Sequence, residues 1–237
     1  MALRAALAAC RAWGQHWKRG LAAAIAALVL ALGLLLVVNR DPLQESIANF
    51  TAALGITAPV GGIDAAYAAY QDGDVATALR LSRPLAEQGD ARAQSLLGLI
   101  YYNGRDVTRN EPEATKWFRR AADQGDATAQ FHLGAMYSTG RGVPQNFSEG
   151  AKWYRLAADG GNAQAQFNLG VMYFNGEGVP QSNVNAHMWF NLAAAHFPAF
   201  DRRNRDAAER VRDVVAIKMT PEEIAEAQKL ARDWKPR

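Results

Sequence analysis

Residues 125–160 read GDATAQFHLGAMYSTGRGVPQNFSEGAKWYRLAADG, and residues 161–196 read GNAQAQFNLGVMYFNGEGVPQSNVNAHMWFNLAAAH. The two stretches agree at 18 of 36 positions without a gap. Residues 89–124 continue the same frame one step upstream. Self-similarity at a fixed period of roughly 20–50 residues marks stacked units, each a supersecondary element too small to bury its own apolar face. Asp90, Asp126 and Asn162 open the first helix of each copy, since a short side-chain oxygen accepts from an orphaned N–H of the first turn. That helix is expected to run to about Tyr102, Ser138 and Phe174, where the turns NGRDVTRN, TGRGVPQN and NGEGVPQS stop it. A second helix carries Trp117, Trp153 or Trp189 and then an Ala-Ala pair. In the first two copies it ends at Gly125 and Gly161, which can adopt the left-handed cap conformation.

The recurring columns have packing reasons. Ala93/Ala129/Ala165, Leu97/Leu133/Leu169 and Tyr101/Tyr137/Tyr173 fall at i, i+4 and i+8 on one face of the first helix. Gly98, Gly134 and Gly170 join that face at about 1 kcal/mol of helix propensity each, a cost that close approach of a partner helix would offset. The tryptophans and small alanines of the second helix are expected to be the matching surfaces. No copy can cover this face alone, so the units must stack into an all-α solenoid.

The pattern A-x-A-Q-x-x-L-G-x-M-Y-x-x-G-x-G-V-P-Q…A-x-x-W-Y-x-x-A-A-x-x-G, clearest in residues 127–160, resembles the Sel-one-like repeat (SLR) family of the tetratricopeptide superfamily. The resemblance divides the chain into repeats at 89–124, 125–160 and 161–196. Residues 63–88 are similar to a degenerate tetratricopeptide-type pair with a short turn at residues 72–74. The first copy departs in its turn, with Asp106 and Thr108 where the others have Gly and Pro, and the third has Asn191 in the column of Arg119 and Arg155. Residues 197–237 read as two capping helices, the second opened by the capping box Thr220-Pro221-Glu222-Glu223. The resemblance implies an adaptor that binds protein on the concave side of a superhelix, often in a bacterial envelope.

The residues supply a candidate surface for such a partner. The first helices carry a second face that includes Leu99, Tyr102 and Asn103, then Phe131, then Gln164, Phe167, Val171, Phe174 and Asn175. It varies between copies where the shared stripe does not, as a face reading a ligand would. It is also too apolar for plain solvent surface. Two readings stand side by side: anchors for a partner peptide, or fillers under adjacent helices. Lys116, Arg119, Arg120, Lys152 and Arg155 form a basic row on the second helices, where i, i+4 pairing of Arg119 with Asp123 and Arg155 with Asp159 suggests a solvated face.

The N-terminal flank has a different composition. Residues 1–40 contain Arg4, Arg11, Lys18, Arg19 and Arg40 and no acid, leaving 21 of the 26 basic residues against all 23 acidic ones elsewhere. The formal +3 therefore belongs to this segment, and the rest gives no general case for nucleic-acid binding. Residues 21–38, bounded by Leu21 and Val38, are unbroken apolar sequence, spanning as a helix roughly 27 Å of a hydrocarbon core about 30 Å thick. Trp13, Trp17, Lys18 and Arg19 precede it, and the charge asymmetry leaves the basic tail of residues 1–20 in the cytoplasm and the repeats, after a linker at 39–62, across the membrane. With the resemblance, this reads as a single-pass bacterial inner-membrane protein with a periplasmic repeat domain. A cleaved signal would need small residues soon after the apolar core, where Val37, Val38, Asn39 and Arg40 stand instead; the Arg-rich, acid-free start also suits a mitochondrial presequence.

Catalysis has little to rest on. The single Cys10 excludes cysteine-pair zinc sites and a disulfide framework. His16, His132, His187 and His196 show no metal-ligand spacing, and the chain contains no G-x-S-x-G, S-x-x-K or P-loop. No cofactor, metal or small-molecule substrate is expected. A lactam- or peptidoglycan-directed hydrolase, which the resemblance also brings in, lacks its nucleophile motif here. A self-associating assembly factor is the remaining alternative.

Overall fold

The computed structural model describes residues 62–236. They form helices α1 (Gly62–Gln71), α2 (Val75–Glu87), α3 (Ala91–Asn103), α4 (Glu111–Asp123), α5 (Ala127–Thr139), α6 (Phe147–Asp159), α7 (Ala163–Asn175), α8 (Asn183–His196), α9 (Arg202–Ala216) and α10 (Pro221–Asp233), with no strand among the described residues. None of these helices is long and apolar enough to cross a membrane. The apolar segment at 21–38, its basic tail and the linker up to residue 61 lie outside the described residues.

Local chemistry sets the helix ends. The side chains of Asp90, Asp126 and Asn162 accept from the backbone N–H of Ala93, Ala129 and Ala165 at 2.8, 2.7 and 2.9 Å. Asn110, Asn146 and Ser182 cap α4, α6 and α8 in the same way. Each first helix runs one residue beyond the expected end. It closes on Gly104, Gly140 or Gly176 with φ of 65–76°, which an L side chain rarely adopts. The turn then returns to its own helix, with the N–H of Asn110, Asn146 and Ser182 bonding the carbonyls of Tyr101, Tyr137 and Tyr173. The first copy departs in residue but not in path: Asp106, in the column of Gly142 and Gly178, takes φ 54°. The expected capping box is present at Thr220 and Glu223.

From α1 to α9 each helix packs on the next in chain order. Successive first helices also touch, α3 with α5 and α5 with α7. The apolar clusters sit in the seams: one gathers α1, α2 and α3, the next α4, α5 and Trp153 of α6, the third α6, α7 and α8. Pairing of each unit with its neighbour, rather than one central core, is the solenoid arrangement. At the C-terminal end α9 and α10 both pack on α8.

Candidate functional site

The seams must be separated from any surface left for a partner, because both use the first helices. Three contacts recur. Gln94, Gln130 and Gln166 are buried, and each amide donates to a carbonyl in the last turn of the preceding helix, Ala86, Ala122 and Ala158, at 3.0, 3.2 and 3.0 Å. This gives the invariant Gln of A-x-A-Q its reason: it ties a first helix to the unit before it and satisfies a terminal carbonyl. Arg83, Arg119 and Arg155 donate to the hydroxyls of Tyr101, Tyr137 and Tyr173 in the following unit. Arg119 and Arg155 also lie over the rings of Trp153 and Trp189, 4.8 and 5.1 Å from the centroid.

This corrects the reading of the basic row. Lys116 and Lys152 pair on the surface with Glu113 and Glu149, but Arg119 and Arg155 are half-buried clamps between units, not partners of Asp123 and Asp159. The relevant signal was in the sequence, since Arg83, Arg119 and Arg155 share the 36-residue spacing with their tyrosines. The glycine columns need a second correction. A Cβ on Gly98, Gly134 or Gly170 would stand 2.5, 2.5 or 2.9 Å from the ring of Phe118, Tyr154 or Phe190. The close approach is therefore to the residue after each tryptophan. Trp153 instead reaches back over α5 to the cluster of α4.

The expected partner-binding residues occupy the same seams. Leu99 and Tyr102 pack on the cluster of α4 and α5, with the Tyr102 ring 5.6 Å from His132. Phe131 packs toward α6 and α7, its ring 5.9 Å from Tyr154. Phe167, Val171 and Phe174 pack on the cluster of Phe190 and Val215, where the Lys218 ammonium stands 4.6 Å from the Phe174 ring centre. All six are half-buried, with one edge packed forward along the solenoid and part of the side chain accessible. The polar members differ. Asn103 and Asn175 are exposed, Asn103 donating to the Tyr70 hydroxyl at 2.6 Å and Asn175 to Glu177 at 3.3 Å. Gln164 is half-buried at the start of α7.

The sequence reading missed the middle of this row. His132 stacks on Phe118 with centroids 4.8 Å apart and planes 10° from parallel, and it touches Tyr102 and Phe131 edge-on or tilted. Burial pushes its imidazole down to about 4. His132 is thus a neutral aromatic filler at pH 7, in the column filled by Leu96 and Asn168 in the other copies. Beside it the Arg141 guanidinium lies 4.2 Å from the Tyr102 ring centre, donates to the Tyr102 hydroxyl and bonds Glu111 at 2.8 Å. Glu111, held also by Arg109, is kept below the usual carboxylate range by these two cations.

Among the described residues no cluster of three His, Cys, Asp or Glu is placed to hold a metal ion. A cavity of about 200 Å³ opens between Lys152, Arg155, Leu169 and Val179. Both cations on its wall already have partners in Glu149 and Tyr173.

Three successive helical hairpins, each tied to the unit before it by the same clamps, define an α-solenoid of the tetratricopeptide-like class. The chain carries three Sel1 repeats: the Sel1 repeat family model matches residues 91–126, 127–162 and 163–196. It is similar to a crystal structure of a Sel1 repeat protein from Oxalobacter formigenes, with a TM-score of 0.56 and 28% identity over 73% of this chain and 75% of that one. It is also similar to c5321, a protective antigen present in uropathogenic Escherichia coli strains displaying an SLR fold, with a TM-score of 0.63 and 29% identity. That match covers 87% of this chain, which spans 43% of the length of c5321. No curated protein matches the chain. Sel1 repeat proteins generally mediate protein–protein interaction.

Proposed function

We propose that the chain is a membrane-anchored adaptor whose first-helix face binds a protein partner on the far side of a bacterial inner membrane. One observation carries the binding face. The seam residues repeat from copy to copy, Gln to carbonyl and Arg to Tyr, whereas the neighbouring positions 92/128/164, 99/135/171 and 103/139/175 read Arg/Thr/Gln, Leu/Ala/Val and Asn/Thr/Asn. Selection for stacking accounts for the first set and leaves the second free to fit a ligand. The half-buried rings of Phe131, Phe167 and Phe174 then serve twice, as seam packing on one edge and as apolar floor on the other. Anchoring rests on residues 21–38 and the basic flank before them.

The test is photocrosslinking in cells from Asn103, Thr139 and Asn175, equivalent and exposed positions of the three copies. Crosslinks from at least two of them to one discrete protein are expected. Crosslinks from none, or only within the chain, would overturn the binding face. Topology has its own readout: a membrane-impermeant maleimide added to intact spheroplasts should label a cysteine introduced at Thr139 and leave Cys10 unlabelled.

A further inference from the structure

Exposed large apolar side chains concentrate in the helices that follow the repeats. Among the described residues, four of the six exposed large hydrophobic side chains, Phe200, Val214, Ile217 and Leu230, follow the last repeat, and Phe200 and Ile217 are 90% and 84% exposed. The reason is topological. α9 sits where the next first helix would, burying Ala208 and Val215, yet the chain does not add a second helix over it. Instead α10 turns back onto α8, burying Ala227 and Ala231. Each of the last two helices is left with an outward face.

The two faces have opposite character. At helical spacing Arg203, Ala207, Arg210, Val214 and Ile217 share one side of α9, with Phe200 just ahead of its first turn. On α10 the side formed by Glu222, Glu226, Leu230 and Asp233 is acidic with one apolar residue. None of Arg203, Arg210, Glu222, Glu226 and Asp233 has an ion-pair partner among the described residues. Asp213, at the edge of the α9 face, is already taken by Arg212 at 2.8 Å. Asp206 and Lys229 border the two faces and reduce the excess on each without reversing it.

We propose that these faces form an interface between two copies of this chain, α9 of one copy lying on α10 of the other, and the reverse, about a two-fold axis. An isologous contact needs a surface that carries both halves of its own complement, and this end of the chain does. Arg203 and Arg210 meet Glu222 and Glu226, while Val214 and Ile217 gain Leu230 as apolar cover. A patch of apolar residues alone would accept many partners; the charge pattern selects a second copy. The interface lies at the last two helices and does not use the first-helix face of the repeats, so the two readings stand or fall separately.

The experiment uses two differently tagged full-length chains, both carrying Cys10→Ser, one with Ile217→Cys and the other with Leu230→Cys, co-expressed and treated in cells with a short bis-maleimide. A crosslinked species bearing both tags is expected. Adding Arg203→Glu and Arg210→Glu to the first chain should lower it about tenfold, and Glu222→Lys with Glu226→Lys in the second chain should restore it, because the reversed charges again complement. The restoration also shows that the reversed chain folds. Three results would each overturn the proposal: no doubly tagged species although a monofunctional maleimide labels both thiols, a yield indifferent to charge reversal, or capture only of a different protein.

Discussion

Replacing His132 by Leu should make the repeat domain less sensitive to acid. The imidazole is enclosed by Phe118, Tyr102 and Phe131, and burial alone holds it down to about 4 from an ordinary 6.5. Below pH 6.5 the unfolded chain takes up a proton at this position and the folded chain does not, so stability falls as pH falls until the folded group titrates near 4. The full difference corresponds to about 3 kcal/mol, of which about 2 kcal/mol is lost by pH 5. Leucine fits the column, since Leu96 occupies it fully buried in the first copy. The assay is urea unfolding followed by tryptophan fluorescence at pH 7 and pH 5, for wild type and His132→Leu. His187 and His196 are also held low, chiefly by burial, so some acid sensitivity persists in the variant. The contrast between the two proteins isolates His132. The wild type should lose about 2 kcal/mol more than the variant between these pH values. Equal losses would refute the claim that this imidazole is buried and neutral.

The seams give further expectations. Trp153→Ala, in a side chain only 8% exposed and stacked under Arg119, should cost about 3–5 kcal/mol, and a loss below about 1 kcal/mol in denaturant titration would contradict the packing. Gly134→Ala gains about 1 kcal/mol of helix propensity but drives a methyl to 2.5 Å from the buried Tyr154 ring, so a net loss of about 1–2 kcal/mol is expected in the same titration. Asp106→Gly should raise stability by about 1 kcal/mol, because a side chain at φ 54° is replaced by a residue that adopts this conformation freely; an unchanged midpoint would show that the aspartate side chain compensates locally.

How far the sequence disclosed these features depends on the kind of contact. Helix ends were legible because caps act locally: Asp126 and Asn162 can be recognised from the residue type and its place before an apolar period. The stacking was legible as a necessity, since the stripe of Ala129, Leu133 and Tyr137 has no cover within its own hairpin. What the stripe meets was harder to read, because the 36-residue period places candidates in columns without saying which column faces which. The most conspicuous large residue, Trp153, is therefore the natural match for the glycine, whereas its neighbour Tyr154 is the one that lies on Gly134. Charge misled in a similar way. Arg119 and Asp123 stand at the spacing of a surface pair, and only the seam shows that the arginine turns to Tyr137 and Trp153 of the following unit.

The same argument bears on the candidate surface. In a solenoid a first-helix residue can touch the unit behind, the unit ahead or a ligand, and an aromatic side chain is long enough to touch two of these at once. Phe131 and Phe167 do pack forward, so variability rather than apolarity is the property that distinguishes a reading face from a seam. By that criterion Thr139, which stands where the other two copies have Asn, is the marker at the polar ends of the first helices. Asn103, Thr139 and Asn175 are exposed and stand at one position of three successive hairpins, and the seam contacts set their spacing. A partner gripped there would be measured out in units of the repeat, so Thr139→Asn, which makes the three positions alike, should change which segment of the partner is held without changing stability by more than about 0.5 kcal/mol.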